Sequence, residues 1–182
     1  MSRWEEFIEL NNIGQRFHNV DIKDVLSKYP EKEKLIESFF KEHFSLMFYG
    51  PAGRGKTYAT LALIRYLLKN HSVYSIRFLK AKIIDDTLTE KSQNFESSRD
   101  YLNVLCSTKF LFIDDFGIDK ANNKTCIDMY EIIDARWANQ LSTIISTNLK
   151  PSEIEKIYGE RIASRLKSFQ KLYFSGKDLR EQ

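Results

Sequence analysis

Apolar residues recur along this chain with two different periods. Trp4, Phe7 and Ile8 fall at helical spacing with charges between them, which predicts one helical face near the N-terminus. Residues 11–14 then read as a helix stop, followed by an extended stretch around residues 16–20. A second amphipathic helix is predicted over residues 31–41, carrying Leu35, Ile36, Phe39 and Phe40 on one face. From residue 45 short, solidly apolar runs alternate with longer mixed segments. Strands are predicted at residues 45–49, 73–79, 109–113, 141–146 and 171–175, and helices at 56–69, 80–88, 122–139, 152–158 and 161–169. Residues 89–99 are polar and read as a surface loop. Phe110, Leu111, Phe112 and Ile113 run together, as in a strand buried on both faces. Strands separated by crossover helices predict an α/β fold with a five-stranded parallel sheet and right-handed connections.

Composition narrows the class without naming a function. At 182 residues, 42% hydrophobic and with only 7 Gly and 3 Pro, the chain can build one proper core and leaves little for a second. Its net charge of +3 is too small to announce a nucleic-acid binder by itself. Cys106 and Cys126 lack CxxC spacing and read as reduced core residues. No apolar run approaches the length of a membrane span, and acids interrupt the N-terminus where a signal peptide would need an apolar stretch. A cytoplasmic protein is expected.

The chemistry concentrates at strand ends. Gly50-Pro51-Ala52-Gly53-Arg54-Gly55-Lys56-Thr57 matches G-x-x-x-x-G-K-[ST] between a predicted strand and a predicted helix. The glycines let the backbone curl so that successive N–H groups face phosphate oxygens, and the following helix presents its positive dipole end to the same anion. Lys56 can reach β- and γ-phosphates, Thr57 can complete a Mg²⁺ shell, and Tyr58 stands next to both. ATP with Mg²⁺ is therefore expected. The apolar run 110–113 ends in Asp114 and Asp115, which places two carboxylates at the carboxyl edge of the sheet. Asp114 suits the metal, and Asp115 suits orienting and polarising an attacking water.

Two further features keep two readings each. Asn148 either hydrogen-bonds the γ-phosphate or its attacking water, or is a turn residue before Pro151. Arg161 and Arg165 share a helical face and serve either as a finger for a neighbour's γ-phosphate or as a solvated surface.

Taken in order, these motifs resemble the AAA+ ATPase domain of the DnaC and DnaI helicase loaders and the related IstB transposition helper. The likeness runs over most of residues 12–180. It rests on Ile13-Gly14-x-Arg16-Phe17, the phosphate loop, Phe112-Ile113-Asp114-Asp115, the strand ending in Asn148-Leu149, Gly159-Glu160-Arg161-Ile162 and Gly176-Lys177-Asp178-Leu179-Arg180. The resemblance implies that Asn148 senses the γ-phosphate. It also implies that Arg165, or failing that Arg161, acts on the ATP of an adjacent subunit, and that residues 14–17, Phe17 among them, line the adenine pocket. It implies an ATPase that is weak as a monomer and that self-associates with ATP. Such a protein contacts single-stranded DNA and places the replicative helicase on it during DNA replication. Residues 1–40 are then a helical arm and adenine-pocket lead-in, and residues 41–182 the AAA+ domain. Only some forty residues precede the first strand, where loaders carry a separate helicase-gripping domain, so Trp4, Phe7 and Ile8 either bind a partner or pack on their own domain. The chain ends soon after the arginine segment, which leaves no room for a C-terminal lid domain. Arg77, Phe78, Lys80 and Lys82 offer charge beside an aromatic, the chemistry a single-stranded DNA contact needs, with Phe78 either a stacking platform or a core residue. An IstB-like helper that delivers a transposase is the nearest alternative. A P-loop kinase for a small molecule is a more distant one, since no arginine-rich lid segment stands between the strands.

Overall fold

The computed structural model describes residues 1–42, 44–70, 75–117, 122–176 and 178. Helix α1 (Arg3–Leu10) is opened by Ser2, whose hydroxyl accepts from the Glu5 N–H while the Glu5 carboxylate accepts from the Ser2 N–H. A short 3-10 turn, Gln15–Phe17, overlaps the stretch that the sequence predicts as extended, and helix α2 (Ile22–Lys28) follows where the sequence predicts no element. Asp21 caps α2 by accepting from the Lys23 N–H at 2.9 Å. With Ile22 and Val25 its only buried residues, α2 is too short to show a helical period.

After α3 (Glu33–Glu42) the chain alternates: β1 (Leu46–Tyr49), α4 (Lys56–Asn70), β2 (Ile76–Lys80), α5 (Ala81–Lys91) and α6 (Phe95–Ser107). It continues with β3 (Phe110–Asp114), α7 (Asn123–Ala138), β4 (Ser142–Thr147), α8 (Pro151–Tyr158), α9 (Glu160–Leu166) and β5 (Gln170–Tyr173). The five strands form one sheet in the order β2-β3-β4-β1-β5, and every neighbouring pair is parallel. Part of the predicted second strand, residues 73 and 74, lies outside the described residues. Among the described residues no helical lid follows β5.

The expected loop over residues 89–99 is replaced by the end of α5 and the start of α6, capped by Asn94, which accepts from the Ser97 N–H at 3.0 Å. Residues 96–100 of α6 are polar and lie toward solvent, while Leu102 and Leu105 are buried in the core with Tyr101 and Cys106 packed against it.

Strand alternation divides the core between the two faces of the sheet. Phe48, Phe110, Phe112 and Ile144 meet α1, α3 and α4 on one face, while Met47, Leu111, Ile113 and Ile145 meet α5, α7 and α9 on the other. Trp4, Phe7 and Ile8 belong to the first cluster, and the Trp4 indole donates to His18 O at 2.7 Å. That stripe is thus spent on its own domain. Cys106 and Cys126 are free thiols, half-buried against the second cluster rather than enclosed by it, and burial raises both pKa values.

Arg136 is the largest fully buried side chain. It sits at the end of α7, where Nε donates to Thr143 Oγ1, Nη1 to the carbonyls of Leu105 and Thr108, and Nη2 to Ser142 O, all within 2.8 Å. Desolvation lowers its pKa to about 10, so it stays cationic at neutral pH. One guanidinium therefore satisfies the end of α6, the lead-in to β3 and the start of β4. Arg136→Met keeps the apolar volume and orphans three carbonyls. It is expected to cost about 4 kcal/mol and lower the melting temperature by roughly 10 °C in a thermal scan.

Candidate functional site: a phosphate cradle at the carboxyl edge of the sheet

The strand order explains the placement of the chemistry. β4 lies between β1, which runs into the glycine-rich loop, and β3, which ends in the acids, so the end of β4 emerges between them. The loop over residues 50–57 is shaped by positive φ angles of 140° at Gly50 and 73° at Gly53. A Cβ on Gly50 would lie 2.3 Å from Phe174 O, and one on Gly53 would lie 2.0 Å from the Asp178 carboxylate. No side chain fits at either place. α4 begins at Lys56, so its N-terminal N–H groups open onto the loop.

Lys56 folds back into this loop and donates from Nζ to Gly50 O and Pro51 O, both at 2.7 Å. The Thr57 hydroxyl contacts the Asp114 carboxylate at 3.0 and 3.1 Å. Ser146 Oγ also donates to Asp114 and accepts from the Asp115 N–H at 3.2 Å, tying the two strand ends together. Asp114 is 1% exposed, and burial pushes its pKa up, opposed by the hydrogen bonds from Ser146 and Thr57. Asp115 is exposed and holds a left-handed backbone with φ 52°, which turns the chain sharply after β3.

Above this floor lies a cavity of about 280 Å³, lined by Arg16, Phe17, residues 52–58, Asp115 and Asn148. Phe17 and Tyr58 both stand on the cavity wall. The Arg16 guanidinium packs over the Phe17 ring at 4.5 Å. Gly50 and Pro51 lie outside the lining and serve as acceptors for Lys56. Arg161 and Arg165 do not reach the cavity: Arg165 Nε donates to Asp134 Oδ1 at 2.6 Å, and Arg161 lies over the Tyr130 ring at 5.8 Å. Phe78 is 8% exposed and packs in the core, so it offers no stacking platform beside Arg77, Lys80 and Lys82.

Two contributors escape sequence reasoning. Ser146 reads as one more polar strand end, and only the fold brings it to Asp114. Tyr29 closes α2, and its one hydroxyl proton is shared between Arg54 O and Ser175 O, each 2.9 Å away. It thereby ties the N-terminal segment, the loop and the chain beyond β5 together.

The residues fit a phosphate group and a divalent cation. Arg54 Nη1 is buried without a hydrogen-bond partner beside the cradle, and Asp114 is a buried carboxylate facing a hydroxyl ligand. Among the described residues no three His, Cys, Asp or Glu side chains gather to hold a metal alone. A Mg²⁺ shared between one carboxylate, one hydroxyl, water and substrate phosphates needs no such cluster.

Residues 31–166 match the model of the family described as IstB-like ATP binding protein. The chain belongs to this family. By its family description this is an ATP-binding protein. The replicative helicase loader DnaC of Escherichia coli strain K12 is 23% identical over 151 residues, which is 82% of this chain and 61% of that protein. The chain thus spans about 60% of the length of the curated relatives it matches. Among solved structures, the DnaC helicase loader superposes with a TM-score of 0.78 at 19% identity, covering 89% of this chain and 100% of that one. The replication initiator DnaA bound to AMPPCP and single-stranded DNA gives a TM-score of 0.69 at 16% identity, over 79% of this chain and 45% of that one. At these identities the superpositions establish the fold. Among the described residues no helix is long and apolar enough to cross a membrane.

Burial disfavours the Asp114 charge, whereas binding a cation would need it. Asp114→Asn keeps acceptors for Thr57 and Ser146 but removes the buried charge. The melting temperature without nucleotide is expected to rise, while the increase caused by Mg²⁺ and ATP in wild type should disappear. A lower melting temperature without nucleotide would contradict the burial argument.

Proposed function

We propose that this chain binds and hydrolyses ATP with Mg²⁺, assembles through ATP-bridged contacts between copies, and acts in the cytoplasm as an ATPase of the helicase-loader type. The observation that carries the reading is the contact between Thr57 and Asp114 at the base of a cavity walled by the phosphate loop. When ATP enters, Lys56 exchanges the carbonyls of Gly50 and Pro51 for β- and γ-phosphate oxygens, and the N–H groups of the loop take the remainder. Thr57 and Asp114 would hold a Mg²⁺, which would supply positive charge to offset that of the phosphates. Asp115 orients water and draws off its proton, Asn148 reads the γ-phosphate from the cavity rim, and Arg165 of an adjacent copy stabilises the charge that develops. Phe17 and Tyr58 flank the nucleotide. The absence of α9 from this chain's own cavity supports a finger supplied in trans.

Lys56→Ala removes two charge-assisted hydrogen bonds and should weaken ATP binding by roughly 10²-fold, about 3 kcal/mol, in a fluorescent-nucleotide titration. An unchanged affinity would remove the cradle as the binding site.

The likeness to a replicative helicase loader and to a DnaA structure holding single-stranded DNA supports single-stranded DNA and a ring-shaped replicative helicase as partners. A second reading, an IstB-like helper that hands a transposase to DNA, is favoured by the family description itself. The two separate on DNA form. With ATP and Mg²⁺, a loader should prefer single-stranded oligonucleotides and weaken with salt, and it should retain a replicative helicase on a column. Preference for duplex DNA and no helicase retention would favour the transposition helper.

A further inference from the structure

Arg165 is held more firmly than a half-exposed arginine ordinarily is. Its Nε donates to Asp134 Oδ1 at 2.6 Å, and its Cζ lies 4.4 Å from the centre of the Trp137 ring. Tyr130 is a further electrostatic neighbour of its guanidinium. Tyr130, Asp134 and Trp137 follow one another at spacings of four and three along α7, so a single helical face supplies all three. Nearly three turns earlier than Trp137 the same face continues in Ile127, which is 64% exposed, and Trp137 itself is 47% exposed.

Stability does not account for this clamp. The side chains of Arg165 and Asp134 are 29% and 34% exposed, and an ion pair so open to water contributes little to folding. What it does fix is direction. A guanidinium has five donors in one plane. With Nε tied to the carboxylate and one face covered by an indole, the plane and the heading of the Nη edge are set, while donors remain for an incoming anion. A lysine could not be held this way, because its ammonium has neither plane nor fork.

We propose that Asp134, aided by Trp137, is a positioning residue for the trans-acting arginine, aiming the Arg165 guanidinium at the γ-phosphate bound by a second copy of this chain. The proposal rests on the reading of Arg165 as the finger. An arginine already oriented before two copies meet loses less freedom at the interface, so the transition state gains more from the same contact. The copies would approach with the α7 face against the nucleotide edge of the neighbour. There the exposed Ile127 and Trp137 are covered, and the basic pair Arg161 and Arg165 meets the negatively charged triphosphate.

The test uses the full chain, assembled with ATP, and its steady-state ATPase. Asp134→Ala should lower kcat on the order of 10-fold to 10²-fold, with KM for ATP and the melting temperature little changed. Asp134→Asn, which keeps an acceptor for Nε, should recover part of the loss, and Trp137→Ala should show a smaller decrease than Asp134→Ala. Mixing adds a readout that a merely structural role would not move. Asp134→Ala subunits keep an intact hydrolytic half, and Asp115→Asn subunits keep an intact finger. A mixture of these two should regain turnover, whereas Asp134→Ala mixed with Arg165→Ala should not. Full activity of Asp134→Ala alongside an inactive Arg165→Ala would overturn the positioning role and leave the finger standing. Turnover above wild type would overturn it as well, since Asp134 would then be holding the arginine back. Full activity of Arg165→Ala would instead remove the reading on which this inference depends.

Discussion

Arg165→Ala is expected to reduce ATP turnover of the assembled protein on the order of 10³-fold while leaving nucleotide affinity within a few-fold of wild type. The asymmetry follows from geometry. Arg165 lies outside the cavity that holds the phosphate loop, Asp115 and Asn148, so within one copy it contributes nothing to binding. On the proposed reading its effect would appear only in the transition state, when charge spreads over the γ-phosphate oxygens and a fixed cation from the neighbour meets it. Parallel falls in kcat and kcat/KM, with an unchanged dissociation constant, are the signature of such an interaction. Loss of affinity equal to the loss of turnover would show that the arginine binds the ground state instead. Arg161→Ala serves as the comparison. Its side chain is exposed over the Tyr130 ring and lacks a carboxylate clamp, so a smaller decrease is expected.

The second large effect belongs to Asp115. Asp115→Asn should lower turnover by roughly 10²-fold to 10⁴-fold and leave ATP bound and unhydrolysed. Asparagine has nearly the same shape but cannot take the proton from an attacking water. The neighbouring Asp114→Asn differs in kind, because Asp114 is buried against Thr57 and Ser146 and its loss strikes Mg²⁺-dependent binding. Single-turnover measurements with rapid quench separate the two. Asp115→Asn should bind without hydrolysing, and Asp114→Asn should bind weakly at every Mg²⁺ concentration. If both variants lose affinity equally, the division of labour between the two acids is wrong.

Much of the sheet was legible because its strands are buried on both faces. The runs ending at Tyr49 and Asp114 are nearly solid in apolar residues, and the one ending at Thr147 is rich in β-branched residues and buried throughout, so their boundaries stand within a residue or two of expectation. The phosphate loop was legible for a different reason: its backbone demands glycine at fixed places, and contacts such as Phe174 O against Gly50 enforce it. What failed were the short or one-sided helices. α2 buries only Ile22 and Val25, and the first turns of α6 are polar, so neither shows a period strong enough to stand out from loop. Local sequence was also silent on Ser146, Tyr29 and Asp134. Each acts through a partner some thirty residues away or more (Asp114, Ser175 and Arg165 respectively), and only the folded chain brings them together. At Phe78 local sequence left a stacking and a core reading open, and tertiary packing takes the core one.

The central claim is that ATP bound by one copy is hydrolysed with help from another. Turnover per subunit, measured for the wild-type chain across a wide range of protein concentration at saturating ATP and Mg²⁺, tests it most directly. The account predicts a rate near background at low concentration that climbs steeply as copies assemble and then levels off. A rate per subunit that stays constant across the whole range would contradict it.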